Sequence, residues 1–308
     1  MTKPKIQNIR EIYKYNQMKE IVVISGKGGT GKTSITASFA VLGGKDVVVA
    51  DCDVDAADMH LLLKPDFEHK EKFYSGKIAE INQDECIKCG KCKDVCRFDA
   101  VPIIDEQYVI DELNCEGCGY CFHVCPTDAI TMKDSLSGDF FISKTRVDNT
   151  LVHAKLAIAA DNSGKLVTQV RTEAKRIAEE NGMPYIIADG SPGIGCPVVA
   201  SVTGSNLVVI VTEPTVSGLH DMSRVAELIN KFGIKSVCII NKADLNDDIT
   251  HEIKRFLENN KIPLIAELPY DLTFADAITA GKTIVEYDNG MISRIIRDSY
   301  KRILEIVE

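Results

Sequence analysis

The eight residues Gly26-Lys27-Gly28-Gly29-Thr30-Gly31-Lys32-Thr33 constrain this chain more than any other stretch. They follow an apolar run, Ile21-Val22-Val23-Ile24, and lead into a helical pattern, Ser34-Ile35-Thr36-Ala37-Ser38-Phe39-Ala40. Strand, glycine-rich turn and helix in that order is the setting of a phosphate-binding loop. Glycines let successive backbone N–H groups turn toward one point, and the helix N-terminus adds partial positive charge there. Gly28, Gly29, Thr30, Gly31 and Ser34 form the cradle. Lys32 is placed to reach the β- and γ-phosphates of a nucleotide, and the Thr33 hydroxyl to bind Mg²⁺.

Further along, β-branched runs end in acids. Asp46-Val47-Val48-Val49-Ala50 reads as a buried strand and runs into Asp51-Cys52-Asp53-Val54-Asp55-Ala56-Ala57-Asp58. Pro184-Tyr185-Ile186-Ile187-Ala188-Asp189 is a second such strand, followed by Gly190-Ser191-Pro192-Gly193. Acids at the carboxyl ends of parallel strands sit where ligands bind in α/β sheets. Asp55 and Asp58 also suit the cap of the short helix Met59–Leu63, which Pro65 ends. Leu207–Val211, Ser236–Ile240 and Ile262–Pro269 are further strands, and Ser217–Lys231 and Leu166–Glu180 are helices. Asn162-Ser163-Gly164-Lys165 opens the second of these helices, as a cap or as a phosphate contact.

The spacing Lys-Gly-Gly-x-Gly-Lys-Thr resembles the deviant phosphate loop of the MinD/ParA/nitrogenase-iron-protein group of ATPases. The resemblance covers about 230 residues in four ordered motifs. It implies that Lys27 crosses a dimer interface to the partner's nucleotide, where a cation at the developing phosphoryl charge lowers the barrier. It implies that Asp53 orients the attacking water, that Asp51 helps hold the Mg²⁺ shell, and that Asp189 binds Mg²⁺ through water in a switch that senses the γ-phosphate. Asn241, in Asn241-Lys242-Ala243-Asp244, resembles the group's adenine-contacting asparagine. The same four residues resemble the guanine-reading motif of GTPases, but the deviant loop favours ATP. Pro269-Tyr270-Asp271 resembles the loop near the adenine. Cys196 stands where the iron protein carries a cluster-ligating switch cysteine, which makes it a candidate metal contact. Cys52 and Cys238, in apolar strands, read as inert buried thiols.

Eight of the eleven cysteines fall in residues 84–133. Cys86, Cys89, Cys92 and Cys96 follow C-x2-C-x2-C-x3-C; Cys115, Cys118, Cys121 and Cys125 repeat it after 29 residues, and Asp99-Ala100 repeats as Asp128-Ala129. This duplication, about 60 residues long, resembles a bacterial two-cluster ferredoxin, in which the fourth cysteine of each set ligates the other cluster. The resemblance implies one [4Fe–4S] cluster on Cys86, Cys89, Cys92 and Cys125, and a second on Cys115, Cys118, Cys121 and Cys96. Structural zinc is the alternative for eight cysteines, but it leaves the repeat unexplained. Arg97 stands where proline follows the second set, and a donor there would tend to raise that cluster's potential. Ten acids and five bases give residues 84–133 a net charge of −5, which suits a basic partner better than nucleic acid.

Composition sets the remaining bounds. A net charge of −9 argues against a chain built to coat nucleic acid or an anionic membrane. No apolar run is long enough for a membrane span, and residues 1–20 lack a signal-peptide core. A cytoplasmic chain follows, in which cysteines signal metal or redox chemistry. Residues 1–19 read as an extra helix or arm. The C-terminal helix, Met291–Val307, mixes bases and acids on its polar side and reads as packed on the sheet rather than membrane-bound.

The expected architecture is a doubly wound α/β sheet over residues 1–69 and 146–308, with a smaller α+β ferredoxin-like insert at 70–145. The expected protein is an ATPase, dimeric with itself or with a related ATPase. It uses ATP/ADP, Mg²⁺ and two [4Fe–4S] clusters to drive electron transfer to a redox client. Two alternatives stand beside it: a scaffold that delivers clusters or metal to a maturation client, and a passive electron carrier.

Overall fold

A computed structural model describes residues 18–157 and 163–308. The expected N-terminal arm and the Asn162 cap lie outside the described residues, apart from the last two positions of the arm. The described residues divide into two compact units. The first holds those up to Lys70, Phe140–Lys155 and Ser163–Glu308. The second holds Glu71–Asp139 and the stretch beginning at Leu156.

The strands in chain order are β1 (Lys19–Ile24), β2 (Val47–Asp51), β3 (His69–Ile81), β4 (Ile103–Ile104), β5 (Gln107–Tyr108), β6 (Ile130–Lys144), β7 (Thr150–Leu156), β8 (Tyr185–Asp189), β9 (Leu207–Thr212), β10 (Ser236–Ile240) and β11 (Leu264–Glu267). In the first unit they lie in the order β11-β10-β9-β1-β8-β2-β7-β6. β1 pairs in parallel with β8 and β9, β2 with β7 and β8, and β10 with β9 and β11. This is an α/β P-loop fold with a mostly parallel sheet. Parallel strands buried on both faces need continuous apolar runs, and β2 and β9 are buried at every position.

The parallel register brings the ends of three strands together. Asp51 at the end of β2 stands opposite Asp189 at the end of β8, and Gly190 N–H donates to Val23 O of β1. The phosphate-loop helix, Lys32–Gly43, starts beside these ends. Its apolar face packs in the core, where Phe39 stacks on Tyr300 of the C-terminal helix at 5.5 Å between ring centroids. The C-terminal helix Met291–Val307 thus buries Ile292, Ile296, Tyr300 and Ile303 in the core, as its pattern suggested. No helix among the described residues is long and apolar enough to cross a membrane.

β3, β4, β5 and β7 are additions to the sequence-based reading. β3 opens with His69-Lys70-Glu71-Lys72 and β7 contains a histidine and a lysine, so neither shows an apolar run. In the second unit β3 lies beside β6. Lys77 pairs with Asp134 at 2.7 Å, Lys133 pairs with Glu80, and the Ser137 hydroxyl donates to Ser75 O at 2.8 Å. Charged cross-strand pairs of this kind hold a polar ribbon that a hydrophobic core does not.

Candidate functional site

In the first unit the loop after β1 bends through Gly29 (φ 81°) and Gly31 (φ 86°), left-handed positions that favour glycine. Gly28 and Gly29 face open space, so their N–H groups are free to approach a ligand. Gly26 packs on the Asp221 backbone, and Gly31 on the Asn241 amide. Thr30 is buried and its hydroxyl oxygen has no hydrogen-bond partner, an orphaned polar atom within the cradle.

Lys32 is 5% exposed and enters a ring of carboxylates. Its Nζ lies 2.9 Å from Asp189 and 3.3 Å from Asp53. Burial works against its charge, but Asp189 and Asp53 outweigh burial and hold its pKa above the ordinary lysine value. Burial pushes the Asp53 carboxyl above the usual carboxylate range, and Lys32 opposes the shift. Asp51, fully enclosed, is pushed well above that range by burial and then by Asp189. Its oxygen accepts the Asp53 N–H at 3.2 Å, so it positions Asp53 from behind. Thr33 Oγ1 donates to one oxygen of Asp189 at 2.7 Å, and Thr36 Oγ1 to the other at 2.8 Å. The switch loop is tied to the phosphate loop by Gly193 N–H donating to Ser25 O at 2.9 Å.

Thus Lys32, Thr33, Asp53 and Asp189 meet at one point, with Asp51 behind them. Thr36 was missed by sequence reasoning; it lies one helical turn after Lys32, on the same face. Ser34 is half-buried on the same helix.

Lys27 is placed differently from a free loop lysine. Its Nζ lies 2.8 Å from Glu213 and 3.0 Å from the hydroxyls of both Thr215 and Ser217. Glu213 also holds Lys242 at 2.7 Å, and Lys242 in turn donates to Gly29 O at 3.1 Å. Burial works against the Glu213 charge, but Lys242 and Lys27 outweigh burial and keep its carboxyl below the usual range. Glu213 was not among the expected site residues. It follows β9 directly, at the carboxyl end of a parallel strand, and that position is the signal that could have found it.

Asn241 is buried, and its amide donates to Thr30 O at 2.8 Å. In this chain it holds the phosphate loop from below. Asp244 accepts the Tyr270 N–H at 2.6 Å and so fixes the segment that includes Pro269, which is half-buried. Cys196 is exposed at the start of the helix Cys196–Val202. Cys52 and Cys238 are fully buried, and burial pushes both thiols up.

In the second unit the duplication is visible in the backbone. Positions 29 residues apart share left-handed angles: Lys88 and Gly117 (φ 56° and 63°), Gly90 and Gly119 (79° and 74°), Asp99 and Asp128 (52° and 54°). The hydrogen bonds between repeats also match. Asn82 N–H donates to Ala129 O at 2.7 Å, and its equivalent Asp111 N–H donates to Ala100 O at 2.9 Å. Each repeat therefore reaches across to the other.

The cysteines follow the same exchange. Cys86, Cys89, Cys92 and Cys125 line one cavity. Cys115, Cys118, Cys121 and Cys96 line another. Burial pushes the equivalent thiols of Cys92 and Cys121 up. Burial also raises Cys125, but the Thr127 N–H and hydroxyl outweigh it and bring that thiol below its ordinary value. Arg97 is exposed and does not line the cavity of its neighbour Cys96, contrary to a role as sulfide donor. Among the described residues no three His, Cys, Asp or Glu side chains form a group able to hold a single metal ion. Thiols around a four-iron cube bind different irons and stand farther apart than the ligands of one ion.

The family described as the CobQ/CobB/MinD/ParA nucleotide binding domain matches residues 21–284. An uncharacterized protein of Methanocaldococcus jannaschii, MJ0578, is 35% identical over 290 residues, which are 94% of this chain and 97% of that one. A second protein of that organism, MJ0579, is 25% identical, with 89% and 94% of the two chains covered. The septum site-determining protein MinD of Pyrococcus horikoshii, solved in complex with Mg-ADP, has a TM-score of 0.56 at 17% identity. The match covers 93% of this chain and 96% of that one, and it is a likeness of fold.

Proposed function

The chain belongs to the CobQ/CobB/MinD/ParA family of nucleotide-binding domains, as a MinD/ParA-type P-loop ATPase, and on that premise we propose that it hydrolyses ATP to control electron transfer from two iron–sulfur clusters to a partner metalloprotein. On this proposal Gly28 to Ser34 bind the phosphates, with Lys32 neutralising charge on the transferred phosphoryl group. Thr33 and Asp189 hold Mg²⁺, Asp53 orients the attacking water, and Asp51 keeps Asp53 in place. Asn241 and Pro269 shape the loops at the base of the nucleotide. Lys27 leaves Glu213 when a second copy, or a related ATPase, presents its nucleotide. The cytoplasm, where thiols stay reduced, suits eleven free cysteines.

The observation that carries the redox half is the exchange of the fourth cysteine between two cavities, repeated in the backbone hydrogen bonds. Two [4Fe–4S] clusters would be held by Cys86, Cys89, Cys92 and Cys125, and by Cys115, Cys118, Cys121 and Cys96. When bound, each supplies one-electron storage at low potential. The residues present fit that group: four thiols per cavity and left-handed glycines at 90, 117 and 119, where backbone N–H groups can approach sulfur. A zinc site would need its four thiols to converge on a point.

The test is an iron count on anaerobically prepared protein, with electron paramagnetic resonance of the reduced chain with and without Mg·ATP. About eight irons per chain and a signal altered by nucleotide support gated electron transfer. Eight irons, no response to nucleotide and loss of iron to an apoprotein would replace it with cluster delivery. Far fewer irons would remove the cluster reading altogether.

A further inference from the structure

The two cavities are lined by equivalent residues, so the pairs that differ in chemistry identify what has been tuned. Thr127, beside Cys125, has Phe98 as its equivalent; Lys91 has Tyr120; Ile87 has Glu116; Tyr108 has Ala79. The Thr127 hydroxyl lies 3.8 Å from Cys125 Sγ and 3.0 Å from Glu85 O. A hydroxyl hydrogen rotates to the better acceptor, which a sulfur bearing negative charge becomes. Phe98 offers no donor to Cys96. Lys91 brings a positive charge to the first cavity, where Tyr120 brings none to the second. Glu116 adds a negative charge to the second, where Ile87 adds none to the first. The Tyr108 hydroxyl borders Gly90 in the first cavity, and Ala79 has no counterpart to it.

All four differences act in one direction. A cluster becomes more negative on reduction, so nearby positive charge and donors to sulfur favour its reduced form. Arg97 is an opposing charge next to Cys96, and it lies outside that cavity's lining. Lys88, Lys91 and Lys93 are all exposed and partly screened, and of the three only Lys91 lines the cavity, together with the half-buried Thr127.

We infer that the two cavities are built for clusters of unequal potential, and that the one closed by Cys86, Cys89, Cys92 and Cys125 accepts the first electron. This rests on the proposed pair of clusters. It makes Lys91 and Thr127 positioning residues for charge rather than ligands, and it gives the insert a direction, with electrons settling in the first cavity.

The experiment is potentiometric reduction of the full-length chain with dithionite, under anaerobic conditions, followed by electron paramagnetic resonance after the iron content has been measured. Each cluster takes one electron and no bond is made or broken. Native protein is expected to reduce in two separate waves. Thr127→Val and Lys91→Gln are expected to lower the upper wave and leave the lower one in place. Phe98→Thr should raise the lower wave and so narrow the gap from the other side. Coincident waves in native protein with about eight irons would overturn the inequality alone. A shift of the lower wave by Thr127→Val would overturn the assignment. Iron far below eight would overturn the inequality together with the clusters.

Discussion

Lys32 is the cation that three carboxylates share, so its removal does more than delete a phosphate contact. Lys32→Met is expected to lower ATP turnover by roughly 10²- to 10³-fold, the usual effect of losing one group that stabilises transition-state charge. It also leaves Asp53 and Asp189 facing each other uncompensated. Phosphate release measures the first effect and thermal unfolding the second. His153 gives a pH signature. It is buried against Phe141, at 4.9 Å between ring centroids, with Ser143 Oγ 3.1 Å from Nε2. Burial, aided by the charge of His60, lowers its pKa from 6.5 to about 4. The unfolded chain therefore binds an extra proton between these values. The stability that neutral His153 contributes is complete above pH 6.5 and is lost as pH falls toward 4. Denaturant titrations from pH 7 to 4 should show this slope in native protein and a flatter one in His153→Gln.

At the scale of elements, the repeat predicts where a methyl group is fatal and where it is tolerated. A Cβ on Gly117 would overlap the Lys77 carbonyl on β3, whereas one on Gly119 meets open space. Gly117→Ala is expected to abolish iron loading with the ATPase unit intact. Gly119→Ala pays only the left-handed backbone cost, roughly 1 kcal/mol. Iron content and ATP turnover, measured on the same preparations, separate the two. The elements differ in how far the sequence revealed them. The phosphate loop and the cysteine spacing are local patterns, so they were legible. β3 was not, because its partners on β6 are charged or polar side chains, and β7 was not, because His153 and Lys155 interrupt a short buried run that pairs with the apolar β2. Glu213 was hidden for a related reason. Its tie to Lys27 joins residues 186 positions apart, and only the parallel sheet brings β1 and β9 side by side.

At the scale of the molecule, the self-contact of Lys27 sets up a test of the dimer. If Lys27 acts on a partner's nucleotide, Lys27→Ala and Lys32→Ala chains are each inactive alone. Mixed in equal amounts they form one intact site per mixed dimer. Turnover should then recover to about a quarter of the native value, as half the dimers are mixed and each has one working site of two. No recovery on mixing, with both variants folded, would place Lys27 in its own chain's chemistry. The crossed cavities have a further consequence, which concerns the order in which the chain is made. As residues leave the ribosome, Cys86, Cys89, Cys92 and Cys96 appear first, a local set of four thiols that belongs to two different cavities. The second cavity is complete at Cys121, and the first, though begun earliest, waits for Cys125. Metal captured by the nascent segment would be held by the wrong fourth thiol. If the two cavities hold clusters as proposed, correct loading belongs to the finished segment, after synthesis has passed residue 125.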